Sequence, residues 1–267
     1  MRRSEEERRL SERRRAGHLP FDVQPVPTAT LADLDLDHFT NAYLPSAVAP
    51  DVLEENHRPP VQQLAALRMV TPDGIPTLVG VLALARDPLQ FFPGAYVQFI
   101  RLDGVELSDP IIAQHRVGGP LHQLISRVDD LIEANIRTRL VVAGHTTHEA
   151  RPDYPIDAIR QVLRNAVMHR TYESTNAPVK ISWFSDRIEV LSPGGPYGQV
   201  TIEQFGRPGL TDYRNPHIAE ALKVLGFVER FGIGLQLANR RLRENGNPEL
   251  EYELEHNYVL VRLRGIR

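Results

Sequence analysis

The chain has 267 residues, of which 42% are hydrophobic and 24% charged, and this composition fits one large or two small globular domains. There is no cysteine, which excludes disulfides, thiol nucleophiles, iron–sulfur clusters and cysteine zinc sites. The formal net charge of -3 gives no general attraction to nucleic acid. No apolar run approaches the roughly 20 residues that span a bilayer, and the N-terminus lacks the pattern of a secretion signal. We therefore expect a soluble, cytoplasmic protein with two domains and no membrane partner.

The N-terminus is rich in arginine and is followed by a proline-rich stretch. The first fifteen residues hold seven arginines and four glutamates. This pattern predicts a solvated helix, and the alternative is a contact to nucleic-acid phosphate or to another subunit. Beyond Gly17, three prolines within eight residues exclude a helix and predict an extended connector that ends near Thr30. Residues 1–29 are therefore assigned to an Arg-rich helix and a Pro-rich connector.

Residues 30–114 have the pattern of a small α+β domain. Two helices are predicted, the second over Val61–Met69, and a turn follows. The segments Thr77–Ala85 and Ala95–Leu102 have the β-branched and aromatic content of strands or buried segments. This order of elements is winged-helix-like, but the second helix carries only Arg68 as a basic residue. A packing role is therefore favoured over the reading of DNA.

Residues 115–267 are predicted to form a larger domain. An amphipathic helix from about Pro120 to Ile136 opens it, and a strand follows near Thr138–Val142. Two further strands, V-K-I-S-W-F and R-I-E-V-L, meet at a two-residue hairpin, Ser185–Asp186, and two more strands close the chain. This order predicts an antiparallel-rich sheet with helices on one face. The expected fold class is α+β, with a two-layer α/β sandwich preceded by the smaller α+β domain.

The stretch from Tyr154 to Tyr172 carries the most specific polar pattern of the chain. Gln161, Asn165 and His169 are four residues apart each time, so they share one helix face, and apolar residues at helical spacing occupy the other face. A row of carboxamides and an imidazole beside a packed core suits a metal–phosphate site or a buried hydrogen-bond network. The spacing alone leaves both interpretations open.

Two glycine-rich segments flank a long loop in the larger domain. The run S-P-G-G-P-Y-G-Q, which contains Ser192, Gly194 and Gly195, excludes regular structure, and the loop that follows is predicted to be a mobile lid. Gly232 and Gly234 stand just ahead of a predicted helix. Helix N-termini with glycine ahead of them attract phosphate, so this segment is a candidate phosphate site.

A histidine pair in G-H-T-T-H-E has spacing that offers two metal ligands. His145 and His148 are its members, and no third ligand is obvious near them. The metalloprotease pattern is also different. Metal binding at this pair is therefore disfavoured.

Three motifs together resemble the GHKL, or Bergerat-fold, ATPases. They are L-R-N-A-V-M-H-R-T-Y, D-R-I-E-V-L-S-P-G-G and R-N-P-H-I-A-E-A-L-K-V-L-G-F-V-E-R-F-G-I-G, and they span about residues 150–245. More narrowly, the chain is similar to a divergent branch in bacterial proteins described as transcriptional regulators or helicase-related, which often carry an N-terminal Schlafen AlbA-type domain. The resemblance implies a Bergerat fold for residues 115–267.

The resemblance also implies roles for single residues. In that family the Asn of the first helix binds the magnesium ion that bridges the nucleotide phosphates, so Asn165 is the Mg²⁺ candidate with ATP. One turn earlier the active ATPases carry a general-base glutamate, and Gln161 stands there instead, which can orient a water but cannot take its proton. Ser192 replaces the Asp that receives the adenine amino group. The implied nucleotide-binding residues are Asn165, His169, Ser192, Gly194, Gly195, Gly232 and Gly234.

Two classes of function are consistent with this pattern. The first is a regulator that binds ATP or ADP with Mg²⁺, is at most a weak ATPase, and uses lid closure as a switch in a transcriptional or nucleic-acid-linked assembly. The second is a vestigial scaffold or dimerisation module that binds no nucleotide. An active ATPase that uses Glu173 or Glu189 as its base is disfavoured, because neither lies on the Gln161 face. The expected partners are a second copy of the chain and a separately encoded AlbA-type or other nucleic-acid-binding protein.

Overall fold

The computed structural model describes residues 19–55, 58–143, 147–173, 175–207, 209, 211–228 and 232–266, and the side chains of residues 139–149 lie outside this description. The Arg-rich N-terminal helix and the histidine pair at 145 and 148 were predicted for regions outside the described residues or side chains. Within the part of the chain that the structure describes, no helix is both long and apolar enough to cross a bilayer.

The described chain begins with helices, and pairs of strands then separate the later helices. The helices are α1 Pro50–Glu55, α2 Pro60–Ala66, α3 Leu78–Leu84, α4 Leu121–Asn135, α5 Ile156–His169, α6 Pro216–Val224 and α7 Gly234–Asn245. The strands are β1 Val97–Leu102, β2 Ile111–Val117, β3 Thr138–Ala143, β4 Thr147–Pro152, β5 Val179–Trp183, β6 Arg187–Pro193, β7 Glu251–Leu254 and β8 Tyr258–Arg264. Shorter helical pieces are Phe21–Val23, Leu31–Asp33, Leu36–His38, Phe39–Tyr43, Leu44–Ala47, Pro88–Gln90 and Ile202–Gln204.

Six strands form the central sheet in the order β2-β1-β5-β6-β8-β7, and β3 pairs with β4 in a separate two-stranded sheet. β1 and β5 are parallel, whereas the other neighbours in the large sheet are antiparallel. Burial alternates along the central strands: in β6, Ile188 and Val190 are buried, while Arg187 and Glu189 face the more open side. One face is therefore covered by helices, which confirms the predicted two-layer α/β sandwich.

Helix α5 packs its apolar face into the core, as its sequence period predicts. Ile159, Val162 and Leu163 are at most 1% exposed, and the helix contacts α7 and the end of β6. The polar stripe on its other face is half-buried instead of solvated. The polar face of α5 therefore lies against other parts of the protein, including α7, and not against solvent alone.

The segment Thr77–Ala85 was predicted to be a strand or a buried segment, and the structure shows a buried helix, α3. All seven residues of α3 are buried, and the Thr77 hydroxyl accepts a hydrogen bond from the Gly80 amide at 3.2 Å, which caps the helix. A Cβ atom on Gly80 would stand 1.8 Å from the Met69 carbonyl oxygen, so glycine permits this close packing. A helix that is apolar on all sides gives no amphipathic stripe, and its sequence therefore resembles a buried strand.

The proline-rich segment at the N-terminus is docked onto the last third of the chain. Asp22 is 0% exposed, and its carboxylate accepts hydrogen bonds from the backbone amides of His217 and Ile218 at 2.6 and 3.1 Å. The His217 ring nitrogen Nδ1 lies 3.1 Å from the same carboxylate. Asp22 therefore caps the N-terminus of α6 from a distant part of the sequence.

The central sheet is continuous across the predicted boundary between the two domains. β1 and β2 come from the predicted 30–114 unit, yet β1 pairs with β5 in the register Val97↔Val179. Residue 114 itself lies within β2. The division of the chain into residues 1–29, 30–114 and 115–267 stays a prediction.

Candidate functional site

One cavity is lined by every residue that the sequence singled out for nucleotide binding. It has a volume of about 140 Å³ and lies between α5, the end of β6, the first turn of α7 and the loop of residues 196–213. The predicted residues in its lining are Gln161, Asn165, His169, Ser192, Gly194, Gly195, Gly232 and Gly234. Four separate segments of the chain therefore converge on one space.

The two carboxamides on α5 are oriented by the helix itself. Asn165 Nδ2 donates to the Gln161 carbonyl oxygen at 2.9 Å, one turn back. This bond uses the amide nitrogen, so the side-chain oxygen Oδ1 of Asn165 stays available as a metal ligand. Magnesium in nucleotide sites takes one or two protein oxygens, and phosphates and water complete the shell. Asn165 Oδ1 fits that requirement, and the described residues contain no cluster of three or more His, Asp or Glu side chains that could hold a metal alone.

The N-terminus of α7 meets these carboxamides directly. A Cβ atom on Gly234 would stand 2.7 Å from Asn165 Nδ2 and 3.0 Å from Gln161 Oε1, so glycine is what lets the two helices approach. The N-cap residue is Ile233, which makes no side-chain hydrogen bond to the helix. The first amides of a helix lack partners within it, and an uncapped N-terminus suits an anion.

Gly194 and Gly195 line the cavity, but their amides are already bonded. Gly194 N donates to the Asn257 carbonyl at 2.7 Å, and Gly195 N donates to the His256 carbonyl at 3.2 Å, both in the turn between β7 and β8. A Cβ atom on Gly195 would stand 2.3 Å from the Glu255 carbonyl oxygen. These glycines serve a close approach of two backbone segments, and their amides have no proton left for a ligand.

Ser192 lies at the inner wall of the cavity. It is 5% exposed, and its hydroxyl donates to the Ala166 carbonyl of α5 at 2.7 Å. Because the hydroxyl proton is used in this bond, the oxygen can only accept a hydrogen bond from a ligand. Ser192 therefore suits a donor such as an amino group.

His169 is held neutral inside the cavity wall. Its ring stacks on Tyr213 with centroids 5.7 Å apart and planes 14° apart. Burial, and to a smaller extent the nearby Arg214 charge, lowers the pKa of His169 to about 4. The imidazole is thus uncharged at neutral pH and provides one donor and one acceptor nitrogen.

This histidine predicts a specific loss of stability in acid. Its pKa falls from the ordinary 6.5 to about 4 on folding, so the unfolded chain binds more protons between these pH values. Stability due to the neutral ring is complete above pH 6.5 and is lost as the pH falls toward 4, at up to about 1.4 kcal/mol per pH unit. The His169→Gln variant should therefore have a shallower acid slope in urea unfolding from pH 7 to pH 4. Exposed His115, changed to Gln, is the control, and equal slopes for wild type and His169→Gln would contradict the assignment.

Residues of the segments 196–207 and 211–213 line one side of the cavity. The Asp212 carboxylate accepts from the Gln199 amide at 3.1 Å, and Gln236 Nε2 of α7 donates to the Gly206 carbonyl at 3.2 Å. Just after the loop, Arg214 Nη2 donates to the Gly195 carbonyl at 3.0 Å, and its guanidinium lies 4.7 Å from the Tyr197 ring centroid. Among the described lining residues, Asp212 is the one carboxylate.

Two polar residues that the sequence analysis did not assign a site role fix the geometry around α5. Asn215 is 1% exposed and donates from Nδ2 to the carbonyls of Met168 and Arg170, each at 2.8 Å. The Arg170 guanidinium, 2% exposed, donates to the Ala177 carbonyl at 2.7 Å and to the Thr171 carbonyl at 3.0 Å. Asn215 ties the end of the loop to the end of α5. In the sequence, the position of Asn215 just before a proline and a helix was the one available indication of this role.

The alternative bases considered from the sequence lie away from the cavity lining. Glu189 Oε1 accepts from Arg187 Nε and from Arg262 Nε, each at 2.8 Å, on the open face of the sheet. Glu173 is also outside the cavity lining. Neither carboxylate stands beside Gln161.

Comparison with known proteins supports an ATPase-like domain. Residues 176–263 match the family model described as "Putative ATP-dependent DNA helicase recG C-terminal". The matched segment includes β5, β6, the loop of residues 196–213, α6 and α7, whereas α5 precedes it. This part of the chain is therefore ATPase-like, as the coarser part of the resemblance implies.

The whole fold has a counterpart among solved structures. It is similar to the crystal structure of the DIP2311 protein from Corynebacterium diphtheriae, with a TM-score of 0.69 and 19% sequence identity over 97% of this chain. The chain spans about half of that protein, 51% of its length. At this identity the likeness shows the fold alone. No curated protein matches the chain at a significant level.

Proposed function

We propose that the protein binds ATP or ADP with Mg²⁺ in the cavity beside α5 and hydrolyses it little or not at all. The observation that carries this proposal is the convergence of Asn165, Ser192 and the uncapped, glycine-led N-terminus of α7 on one space. These groups provide an oxygen ligand for a cation, an acceptor for an amino group and donors for phosphate. Their chemistry matches the three parts of a magnesium nucleotide.

Each residue has a defined task in this proposal. The cation supplies charge neutralisation on the phosphates when it is bound, and Asn165 Oδ1 holds it. The first amides of α7, near Gly234, donate to phosphate oxygens, and Ser192 accepts from the base. Gln161 orients a water, but its carboxamide has no useful basicity near neutral pH, so hydrolysis lacks a general base. Bound ATP is therefore hydrolysed little or not at all in this proposal.

Binding is proposed to be coupled to movement of the loop of residues 196–213. Ligand pockets generally measure about 300–1,000 Å³, whereas this cavity holds about 140 Å³ with the loop closed. The loop is tied down by single hydrogen bonds such as Gln236 to Gly206 and by the stack of Tyr213 on His169. Nucleotide must displace some of these contacts, so its occupancy shifts the position of the loop. A regulator needs such a nucleotide-dependent element.

The proposed context is a regulatory assembly linked to nucleic acid. The partners in this proposal are a separately encoded AlbA-type or other nucleic-acid-binding protein and a second copy of the chain. Co-purification of the protein with an AlbA-type partner, increased or reduced by ATP, tests this part of the proposal.

A vestigial scaffold is the second candidate, and two observations favour it. The amides of Gly194 and Gly195 are bonded to the β7–β8 turn, and the Tyr213 ring already packs on His169. Hydrogen bonds and ring contacts within the protein thus already satisfy groups that a nucleotide would otherwise contact. In this case the fold would serve docking or dimerisation.

Thermal unfolding distinguishes the two candidates. We expect ATP with Mg²⁺, at about a hundred times its dissociation constant, to add about 2.7 kcal/mol and to raise the midpoint by about 5–10 °C. Asn165→Ala should lose the magnesium-dependent part of this shift, since it removes the proposed oxygen ligand. Exposed Asn41, changed to Ala, is the matched control. The absence of any shift with ATP, ADP or GTP would favour the scaffold.

A further inference from the structure

The corner formed by β1 and β2 concentrates exposed apolar side chains. Four of them lie within eight residues: Val105 is 50% exposed, Leu107 70%, Ile111 56% and Ile112 55%. The other large exposed hydrophobic residues of the described chain are scattered along the sequence. Single exposed apolar residues are ordinary, whereas a local group of them marks an interaction surface.

This corner coincides with an open edge of the sheet. β2 is the outermost strand, and among the described residues no strand pairs with its outer side. It contains neither proline nor lysine, the residues that commonly block an edge. The other edge strand, β7, is four residues long, and its glutamates Glu251 and Glu253 pair with Arg264 and Arg262. Within the described six-stranded sheet, β2 is therefore the longer edge strand, and Arg116 is its one charged side chain.

We propose that β2 pairs with β2 of a second copy, antiparallel about a two-fold axis at Gln114. An antiparallel pair sets residues on the same face opposite each other, so the axis of a self-pairing strand passes through a residue and not between two. Gln114 is the middle residue of Ile111–Val117. The same surface of both copies then forms the interface, as a closed two-fold dimer requires.

The side chains of β2 are complementary to themselves in this register. Arg116 of one copy stands opposite Ile112 of the other, and the aliphatic part of the arginine covers the isoleucine. Ile111 stands opposite Val117, and His115 opposite Ala113. No two like charges face each other, and both exposed isoleucines gain an apolar or partly apolar neighbour. The pairing joins two six-stranded sheets and does not depend on nucleotide.

The register is tested with a single introduced cysteine, because the chain has none of its own. Directly opposed residues of an antiparallel pair have Cα atoms about 4.5–5.5 Å apart, within disulfide range. Gln114→Cys should therefore form a covalent dimer under mild oxidation about tenfold faster than Lys180→Cys. Lys180 is exposed on the open face of the sheet in β5 and serves as the matched control. Equal rates for the two variants overturn the proposal.

A charge exchange tests the same interface by sedimentation over a dilution series without nucleotide. Ile112→Lys places a lysine opposite Arg116 of the other copy twice, and it should raise the dimer dissociation constant about tenfold. Adding Arg116→Glu to that variant makes both pairs opposite in charge and should restore the dimer. Both positions are exposed, and unfolding midpoints check that the fold is kept. A monomer at every concentration, or a dimer unaffected by Ile112→Lys, overturns the proposal.

Discussion

If the protein binds ATP without hydrolysing it, as proposed, Gln161→Glu is expected to create magnesium-dependent phosphate release. A glutamate at this position of α5 would stand beside Asn165 and the first turn of α7, where the proposed phosphates lie. A positioned general base contributes about 10²–10⁴-fold to such reactions. Glutamine and glutamate have the same shape, so the substitution changes basicity with little change in packing. Release of inorganic phosphate under single-turnover conditions is the measurement.

Two further variants give this experiment its controls. Adding Asn165→Ala to Gln161→Glu should abolish the gained activity, because the proposed metal ligand is removed. Glu189→Gln should leave it unchanged, since that carboxylate pairs with Arg187 and Arg262 on the open face of the sheet. If Gln161→Glu binds ATP and still releases no phosphate, the proposal that Gln161 replaces a missing general base is contradicted.

Asp22→Ala is expected to lower the stability of the protein strongly, although Asp22 lies near the start of the described chain. The buried carboxylate accepts from the amides of His217 and Ile218, and its removal leaves these donors without a partner. Loss of a buried, charge-assisted cap costs about 3 kcal/mol, or about 5–10 °C in the unfolding midpoint. Urea and thermal unfolding both measure this change.

The control for this prediction is an exposed aspartate that also lies in a short helical piece. Asp37 is exposed in the first turn of a short helical piece, and Asp37→Ala should change the free energy of unfolding by less than about 0.5 kcal/mol. Asp22→Asn keeps one acceptor oxygen and should lie between the two. Equal midpoints for Asp22→Ala and Asp37→Ala would contradict the capping role.

The sequence predicted elements whose signals are local. α4 and α5 have clear amphipathic periods, and the β5–β6 hairpin has two alternating strands around Ser185–Asp186. β2 was missed because its residues are exposed on both faces, so no alternation marks it. The β1–β2 pair joins the rest of the sheet through the parallel pairing of β1 with β5. A parallel pairing between distant segments leaves no pattern in the local sequence.

The candidate site divides in the same way. The spacing of Gln161 and Asn165 is a helix property, so their common face could be predicted. Asn215 and Arg214 act through carbonyl oxygens far along the chain, at Met168 and Gly195, and no spacing rule links them. Gly194 was predicted to bind nucleotide, and it lines the cavity, but the sequence did not predict that its amide bonds the β7–β8 turn. Backbone partners of a loop are decided by tertiary packing.

The contact between Asp22 and Ile218 has a consequence for folding during synthesis on the ribosome. The two residues are 196 positions apart, and synthesis at about 5–20 residues per second separates their appearance by roughly 10–40 s. Throughout this interval α6 does not yet exist, so Asp22 has no helix N-terminus to cap. Such sequence-distant contacts also slow folding after release. The apolar surface of α3 that packs against α6 therefore stays uncovered until α6 has been synthesised.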